Sequence, residues 1–248
     1  NNLNFGNPER PEIMGQLVES IEGMAEACRF FETPITGGNV SLYNETLGEA
    51  IFPTPVLGIV GVMNTEQPVT APFKNADRTI ILLGGFGRPD LRQFGGTQYA
   101  KRILKQMWGT PPALDMDYEK RVQQAIREIV TKGLAESAHD LSDGGLAVAI
   151  AECTFGGIGA KIEVEWDIRP EFLLFHEGPS RILVSTQHAD EVKKIALFHE
   201  VESPRIGVTM KERLQIRNGP TTLVDCSLDI LHETWDQALE KLLHPEHA

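Results

Sequence analysis

The order of apolar strands and amphipathic helices along the chain predicts an α/β or α+β protein, with α+β, mixed α/β sheets carrying helices, the class expected. Three observations carry this. Short β-branched runs, Val56 to Met63 and Thr79 to Leu83 foremost, alternate with segments whose apolar residues recur every three or four positions. Gly and Pro clusters fall between them. No internal repeat or low-complexity stretch points to a solenoid or a disordered chain. The 248 residues suffice for one large or two modest domains.

In chain order, Pro11 suits a first helical turn, and Ile13, Leu17, Ile21, Met24, Cys28 and Phe31 then mark one amphipathic helix over about 11–31. Thr33-Pro34 and Gly37-Gly38 end it, and Val40 to Tyr43 reads as a short strand. Pro53-Thr54-Pro55 reads as a rigid entry to Val56–Met63, a continuous apolar run expected to be a strand buried on both faces. Asn64 to Asn75 carries two prolines and little periodicity, so the domain boundary is placed there, giving segments 1–64 and 65–248. The second segment opens with the strand Thr79–Leu83 and the glycine-rich Gly84-Gly85-Phe86-Gly87. Helices follow at about 98–107 and 115–132, the latter with Tyr118, Val122, Ala125, Ile126 and Ile129 on one face. A short strand at 136–138 runs into His139-Asp140-Leu141-Ser142-Asp143-Gly144-Gly145, and a helix over 146–153 comes next. Strands near 161–165, 181–185, 206–208, 214–217 and 222–224, a helix at 189–199 and a closing amphipathic helix at 228–243 complete the reading.

Composition excludes several functions. Lys and Arg number 23 against 35 Asp and Glu, a formal net charge of -12, so a polyanion such as nucleic acid or an acidic membrane surface is repelled as a bulk partner. Local anion sites built from backbone N–H groups stay open. Cys28, Cys153 and Cys226 lie far apart and form no CxxC pair, which reads as small hydrophobes in a reducing compartment. No apolar run reaches the roughly 20 residues of a bilayer span, and no basic-then-apolar targeting pattern opens the chain, so a cytoplasmic protein is expected. The chain opens on Asn1-Asn2-Leu3-Asn4 without Met, which suggests a fragment.

Two constellations could carry chemistry. Asn1 to Asn7 and Gly37 to Ser41 are polar, glycine-containing loops joined by the long helix. At one end of a small sheet, their amide oxygens, N–H groups and the Ser41 hydroxyl would converge on a cleft suited to a phosphorylated ligand and Mg²⁺, which takes oxygen donors. Asn and Gly are also ordinary turn formers. In His139 to Gly145, Asp140 and Asp143 could hold a metal and the following helix an anion; equally, Ser142 or Asp143 could cap that helix while Asp140 satisfies loop amides. His139 alone carries little weight as a catalyst. Glu177 to Arg181 could be a substrate loop or a solvated turn, and Gly95-Gly96-Thr97 is a weak phosphate signal. The chain lacks a GxxxxGK[ST] P-loop, a GxSxG elbow and an HExxH helix.

Taken together, Asn1-Asn2-Leu3-Asn4-Phe5-Gly6-Asn7-Pro8-Glu9, the stretch Pro34 to Glu45 with GGNVSLYNE, Pro53-Thr54-Pro55-Val56-Leu57-Gly58 and His139 to Ala147 resemble the second half of phosphoribosylformylglycinamidine synthase, in the synthetase subunit of its small multi-subunit form. The resemblance covers essentially the whole chain in order. It implies an aminoimidazole ribonucleotide synthetase-like fold, 1–64 being part of an N-terminal-type domain and 65–248 a C-terminal-type domain. It also implies an ATP-dependent ligase of purine biosynthesis, converting formylglycinamide ribonucleotide, ATP and glutamine-derived ammonia to formylglycinamidine ribonucleotide, ADP and phosphate. By the same resemblance Asn1 and Gly38 match ATP-contacting positions, Asn39 a Mg²⁺ ligand and Ser41 a substrate contact. Asn1 is Asp in some relatives. Asp140, Asp143 and the Glu177 to Arg181 loop match metal and substrate loops of the first half by pseudo-symmetry only, and stand outside the primary site. No catalytic residue is assigned to this chain, because the family's catalytic histidines and most substrate contacts belong to the first half.

Implied partners are that missing half, a glutaminase subunit and a small accessory subunit, with a homodimer as a substitute pairing. The alternatives are another ATP-using member of the superfamily, such as selenophosphate synthetase, thiamine monophosphate kinase or aminoimidazole ribonucleotide synthetase, and a non-catalytic oligomerisation or docking module.

Overall fold

The computed structural model describes residues 1–63, 68–88 and 90–244. The chain divides into two compact units, Asn1–Glu66 and Gln67–Ala248. A boundary between 64 and 65 lies outside the described residues.

The first unit begins with β1 (Asn2–Asn4), in a stretch read from sequence as a loop; Asn-rich composition hid a strand only three residues long. Helix α1 (Pro11–Phe30) follows, with Pro11 in its first turn. Then come β2 (Asn39–Ser41), the hairpin β3 (Glu45–Thr46) and β4 (Glu49–Ala50), and β5 (Thr54–Val56). The main sheet runs β2-β1-β5, with β2 parallel and β5 antiparallel to β1. Leu3, Phe5 and Ile13 form its small core, joined by Leu17 and Met24 of α1.

The expectation of a doubly buried strand at Val56–Met63 is wrong. Pairing stops at Val56, and Val60 and Val62 are almost wholly exposed. The register explains this: β5 runs antiparallel to β1, Thr54 faces Asn4 and Val56 faces Asn2, so β1 offers no ladder partner beyond Val56.

The second unit is built on a seven-stranded sheet. Its elements in chain order are β6 (Thr79–Leu83), α2 (Leu91–Phe94), a π-helical turn (Ala100–Leu104), α3 (Met116–Thr131), β7 (Ser137–Asp140), α4 (Gly145–Cys153), β8 (Ile158–Val164), α5 (Pro170–Phe175), β9 (Ile182–Thr186), α6 (Ala189–Phe198), β10 (Arg205–Lys211), β11 (Arg213–Asn218), β12 (Thr221–Ser227), α7 (Leu228–Asp236) and α8 (Ala238–Leu243). The strand order is β12-β11-β8-β10-β6-β9-β7, antiparallel throughout except for the β8–β11 pair. Both faces are covered. Ile80 and Leu82 of β6 pack with Leu146 and Ile150 of α4, while Ile81 and Leu83 pack with Val122 and Ile129 of α3 and Val192 of α6. That is why Thr79–Leu83 reads as an unbroken apolar run.

Two expected helices are shorter than the periodicity suggested. The helix expected at 98–107 starts at Gln98 but stops at Leu104, most of it the π-helical turn, and is ended by Lys105 in the left-handed conformation with φ 55°. The closing helix at 228–243 breaks at Gln237 into α7 and α8, neither of which buries a residue. Among the described residues no helix is long and apolar enough to cross a membrane, and all three cysteines are free.

Candidate functional site

In the first unit, Asn2 stands opposite Asn39 and Asn4 opposite Ser41 across the β1–β2 pair. Alternation sends Leu3 to the α1 side, so Asn2, Asn4, Asn39 and Ser41 share the other face. Thr54 of β5 joins them by register, and its carbonyl accepts from Asn4 Nδ2 at 3.2 Å. The strand ends are drawn together by backbone bonds: the Asn39 N–H donates to the Asn1 carbonyl at 3.1 Å, and the Asn1 amino group to the Gly37 carbonyl at 3.0 Å. Gly38 is required by closeness, since a Cβ there would lie 1.7 Å from Asn1 Oδ1 and 2.2 Å from the Asn1 carbonyl oxygen. The four positions singled out in the sequence, Asn1, Gly38, Asn39 and Ser41, therefore sit on one strand-paired rim.

Their side chains are not equally free. Ser41 Oγ donates to Asn44 Oδ1 at 3.2 Å and lies 3.1 Å from Asn44 Nδ2, which also donates to the carbonyls of Phe5 at 3.0 Å and Ser41 at 2.9 Å. Asn44 thus fixes the serine rotamer and ties the end of β2 to the chain after β1. Sequence reasoning gave Asn44 no role; its signal was a polar residue three positions after Ser41 at a strand end. Asn39, by contrast, makes no side-chain hydrogen bond among the described residues, so its amide oxygen is available to a hard cation. A neutral amide alone cannot satisfy Mg²⁺, and no group of three His, Cys, Asp or Glu placed to hold a metal occurs among the described residues. The donor set fits a partial metal site, whose remaining oxygens would come from water, phosphate or another chain.

The second unit gathers glycine-rich loops at the ends of β6, β7 and β9. Of the two readings of this loop, the one in which Ser142 or Asp143 caps α4 does not hold: no side chain caps the helix, and the N-cap position is Gly144 with φ 79°. Instead Glu177, distant in sequence, accepts from the Gly144 N–H at 2.7 Å and from the Gln98 N–H at 2.8 Å through one carboxylate oxygen. Gly145 follows with φ 65°, where a Cβ would stand 2.5 Å from the His176 carbonyl oxygen. Among the described residues Asp143 is reached only by the Gln98 side chain at 3.4 Å, while Asp140 is exposed and faces His139 at 3.5 Å. His139 Nε2 sits 2.8 Å from Glu152 of α4 and joins the end of β7 to that helix. Nothing brings Asp140, Asp143 and Glu177 together as a metal set.

Under this loop His176 and Arg181 are buried. His176 Nε2 lies 2.8 Å from both the Phe86 carbonyl and Arg181 Nη1, and Nδ1 accepts from the Gly178 N–H at 3.3 Å. Arg181 also donates to the carbonyls of Gly178 and His176 at 2.9 and 2.8 Å. Burial, and then the neighbouring guanidinium, hold the imidazole neutral, with its pKa lowered to about 4. Burial lowers Arg181 to about 10, opposed by Glu177. Burial raises the Cys153 thiol to about 12, so it is inert packing.

The family model for the N-terminal domain of AIR synthase related proteins matches residues 1–63, and that for the C-terminal domain matches 75–217. The chain is 41% identical over 245 residues to the phosphoribosylformylglycinamidine synthase subunit PurL of Moorella thermoacetica, covering 97% of this chain and 33% of that protein. It is 44% identical over 231 residues to the PurL subunit of an Anaeromyxobacter species, covering 88% and 30%. The chain thus spans about a third of the length of the curated relatives it matches. Among solved structures, Thermotoga maritima PurL complexed with FGAR superposes with a TM-score of 0.72 at 21% identity, over 93% of this chain and 39% of that one, which shows a shared fold.

Proposed function

The chain belongs to the AIR synthase related protein family, and from that membership we propose that it supplies one side of the ATP and substrate cleft of a phosphoribosylformylglycinamidine synthase. The reaction is the ATP-dependent conversion of formylglycinamide ribonucleotide and glutamine-derived ammonia to formylglycinamidine ribonucleotide, ADP and phosphate. The observation that carries the reading is the rim where Asn1, Gly38 and Asn39 are locked together by backbone bonds, with the Asn39 amide oxygen uncommitted.

On this rim Gly38 leaves the strand end bare of side chain, so that a nucleotide phosphate can approach the backbone. Asn1 borders that approach as a further ATP contact. Asn39 offers one oxygen to Mg²⁺, which when bound neutralises charge on the transferring phosphoryl group. Ser41, its rotamer set by Asn44, presents a hydroxyl for the substrate. These are positioning and binding roles; proton transfer is assigned to residues outside this chain. Its partners in that reading are the rest of a longer synthetase subunit, a glutaminase subunit and a small accessory subunit, in the cytoplasm.

The test is reconstitution. The purified 248-residue chain alone gives no ATP- and ammonia-dependent product, and adding the remainder of a homologous subunit restores it. Steady product formation by the chain alone overturns the proposal. Product that appears on reconstitution but is indifferent to Asn39→Ala and Ser41→Ala overturns the assignment of the rim.

A further inference from the structure

We infer that α7, with the turn at Thr154–Gly157, forms a docking groove for a basic amphipathic segment of a protein partner. The groove is a cavity of about 420 Å³ between these elements, lined by Thr154, Phe155, Asp229, His232, Glu233 and Asp236 among others. Two of the lining rings, Phe155 and His232, meet edge-on at 5.5 Å, and Trp235, outside the lining, lies 4.9 Å from Phe155.

Several features of α7 conflict with what a helix would adopt for its own stability. Leu228 and Leu231 rest on the core of the second unit, which leaves 229, 232, 233 and 236 turned outward. Asp229 and Glu233 are like charges one turn apart, and Glu233 and Asp236 bring negative charge to the C-terminal end, where the helix dipole disfavours it and no basic residue compensates. None of these three carboxylates has an ion pair among the described residues. Beside this acidic edge Trp235 of α7 is exposed, and past the break at Gln237 so are Leu239 and Leu242 of α8.

Local violations of this kind mark a surface whose free energy is recovered elsewhere. Lys or Arg satisfies the carboxylates and stacks on Trp235 and Phe155, while apolar residues of the same segment cover Leu239 and Leu242. A small cation would fill the cavity but leave Leu239 and Leu242 in water. The exposed Trp235, Leu239 and Leu242 beside the carboxylates therefore favour a peptide segment.

The experiment measures binding of a synthetic Lys/Leu peptide of helical periodicity to the 248-residue chain by fluorescence and calorimetry. Asp229→Asn, Glu233→Gln and Asp236→Asn together weaken binding by about tenfold. Because the whole chain is acidic, the control neutralises Glu19, Glu22 and Glu26 on exposed positions of α1, and changes affinity by less than about twofold. Peptide binding shifts tryptophan emission to the blue, and Trp235→Phe removes that shift. Far-UV circular dichroism of each variant establishes that the helices are retained. Equal weakening by both triple variants reduces the effect to bulk charge and overturns the inference. So do displacement of the peptide by spermine at matching affinity, and self-association of the chain that is lost in the α7 variant.

Discussion

Gly38 shows how little room the rim leaves for change. A methyl group placed there would overlap Asn1 Oδ1, so Gly38→Ala must push β1 and β2 apart where their backbone bonds begin. The expected cost is about 1–3 kcal/mol in stability of the first unit, read as a lower midpoint in denaturant or as faster proteolysis within 1–63. His176 makes a second residue-scale prediction. Its folded pKa of about 4 lies below its ordinary value near 6.5, so the unfolded chain binds the proton more readily between these pH values. The stabilisation is complete above about pH 6.5 and is lost as pH falls through about 4, by roughly 3 kcal/mol at most. Unfolding of the second unit at pH 7 and at pH 4.5 measures this. His176→Gln should flatten the difference, while lowering stability at pH 7 through its altered contacts with Phe86, Gly178 and Arg181.

At the scale of elements, Glu177 anchors the turn that leads into α4, accepting from the N–H of Gly144 just before its first residue. Glu177→Ala removes the acceptor of the Gly144 and Gln98 N–H groups together and should destabilise the second unit by about 2 kcal/mol. Glu177→Gln keeps a neutral oxygen and should recover part of that. Hydrogen exchange gives a sharper reading: the amides of Gly144 and Gln98 should lose protection together in the Ala variant, and independent behaviour of the two would defeat the idea of a shared acceptor. The same element explains why the carboxylates of His139-Asp140-Leu141-Ser142-Asp143 looked more chemical in sequence than they are in place. Their spacing suits a metal loop, yet the fold turns Asp140 outward and gives Asp143 only a glutamine contact. By contrast, α3, α6 and most strands of the large sheet were legible because each buries a stripe of the expected period, and α1 was legible from its spacing although only Ile13 of it is buried.

For the whole molecule, the exposed run Leu57 to Met63 is where unsatisfied apolar surface concentrates in the first unit. Val60→Asp with Val62→Asp should leave the stability of the chain unchanged within about 0.5 kcal/mol, since neither side chain is buried. The same pair should abolish functional reconstitution with the remainder of a longer subunit. Sedimentation of the two forms checks the other possible occupant: self-association that vanishes with the Asp pair would assign this surface to a second copy. The sequence by itself determined the α+β class, the position of the long helices and the family, because periodic burial and a dense set of motif residues are local properties of the chain. It also marked Asn1, Gly38, Asn39 and Ser41 as candidates. Only the tertiary structure decided that Asn39 is uncommitted among the described residues while Ser41 is held by Asn44, that Glu177 holds the Gly144 turn while neither Ser142 nor Asp143 caps α4, and that Val56–Met63 leaves the sheet at Val56. Those outcomes depend on which distant groups arrive beside a residue, and an apolar or polar run looks the same in sequence whether or not a partner strand lies next to it.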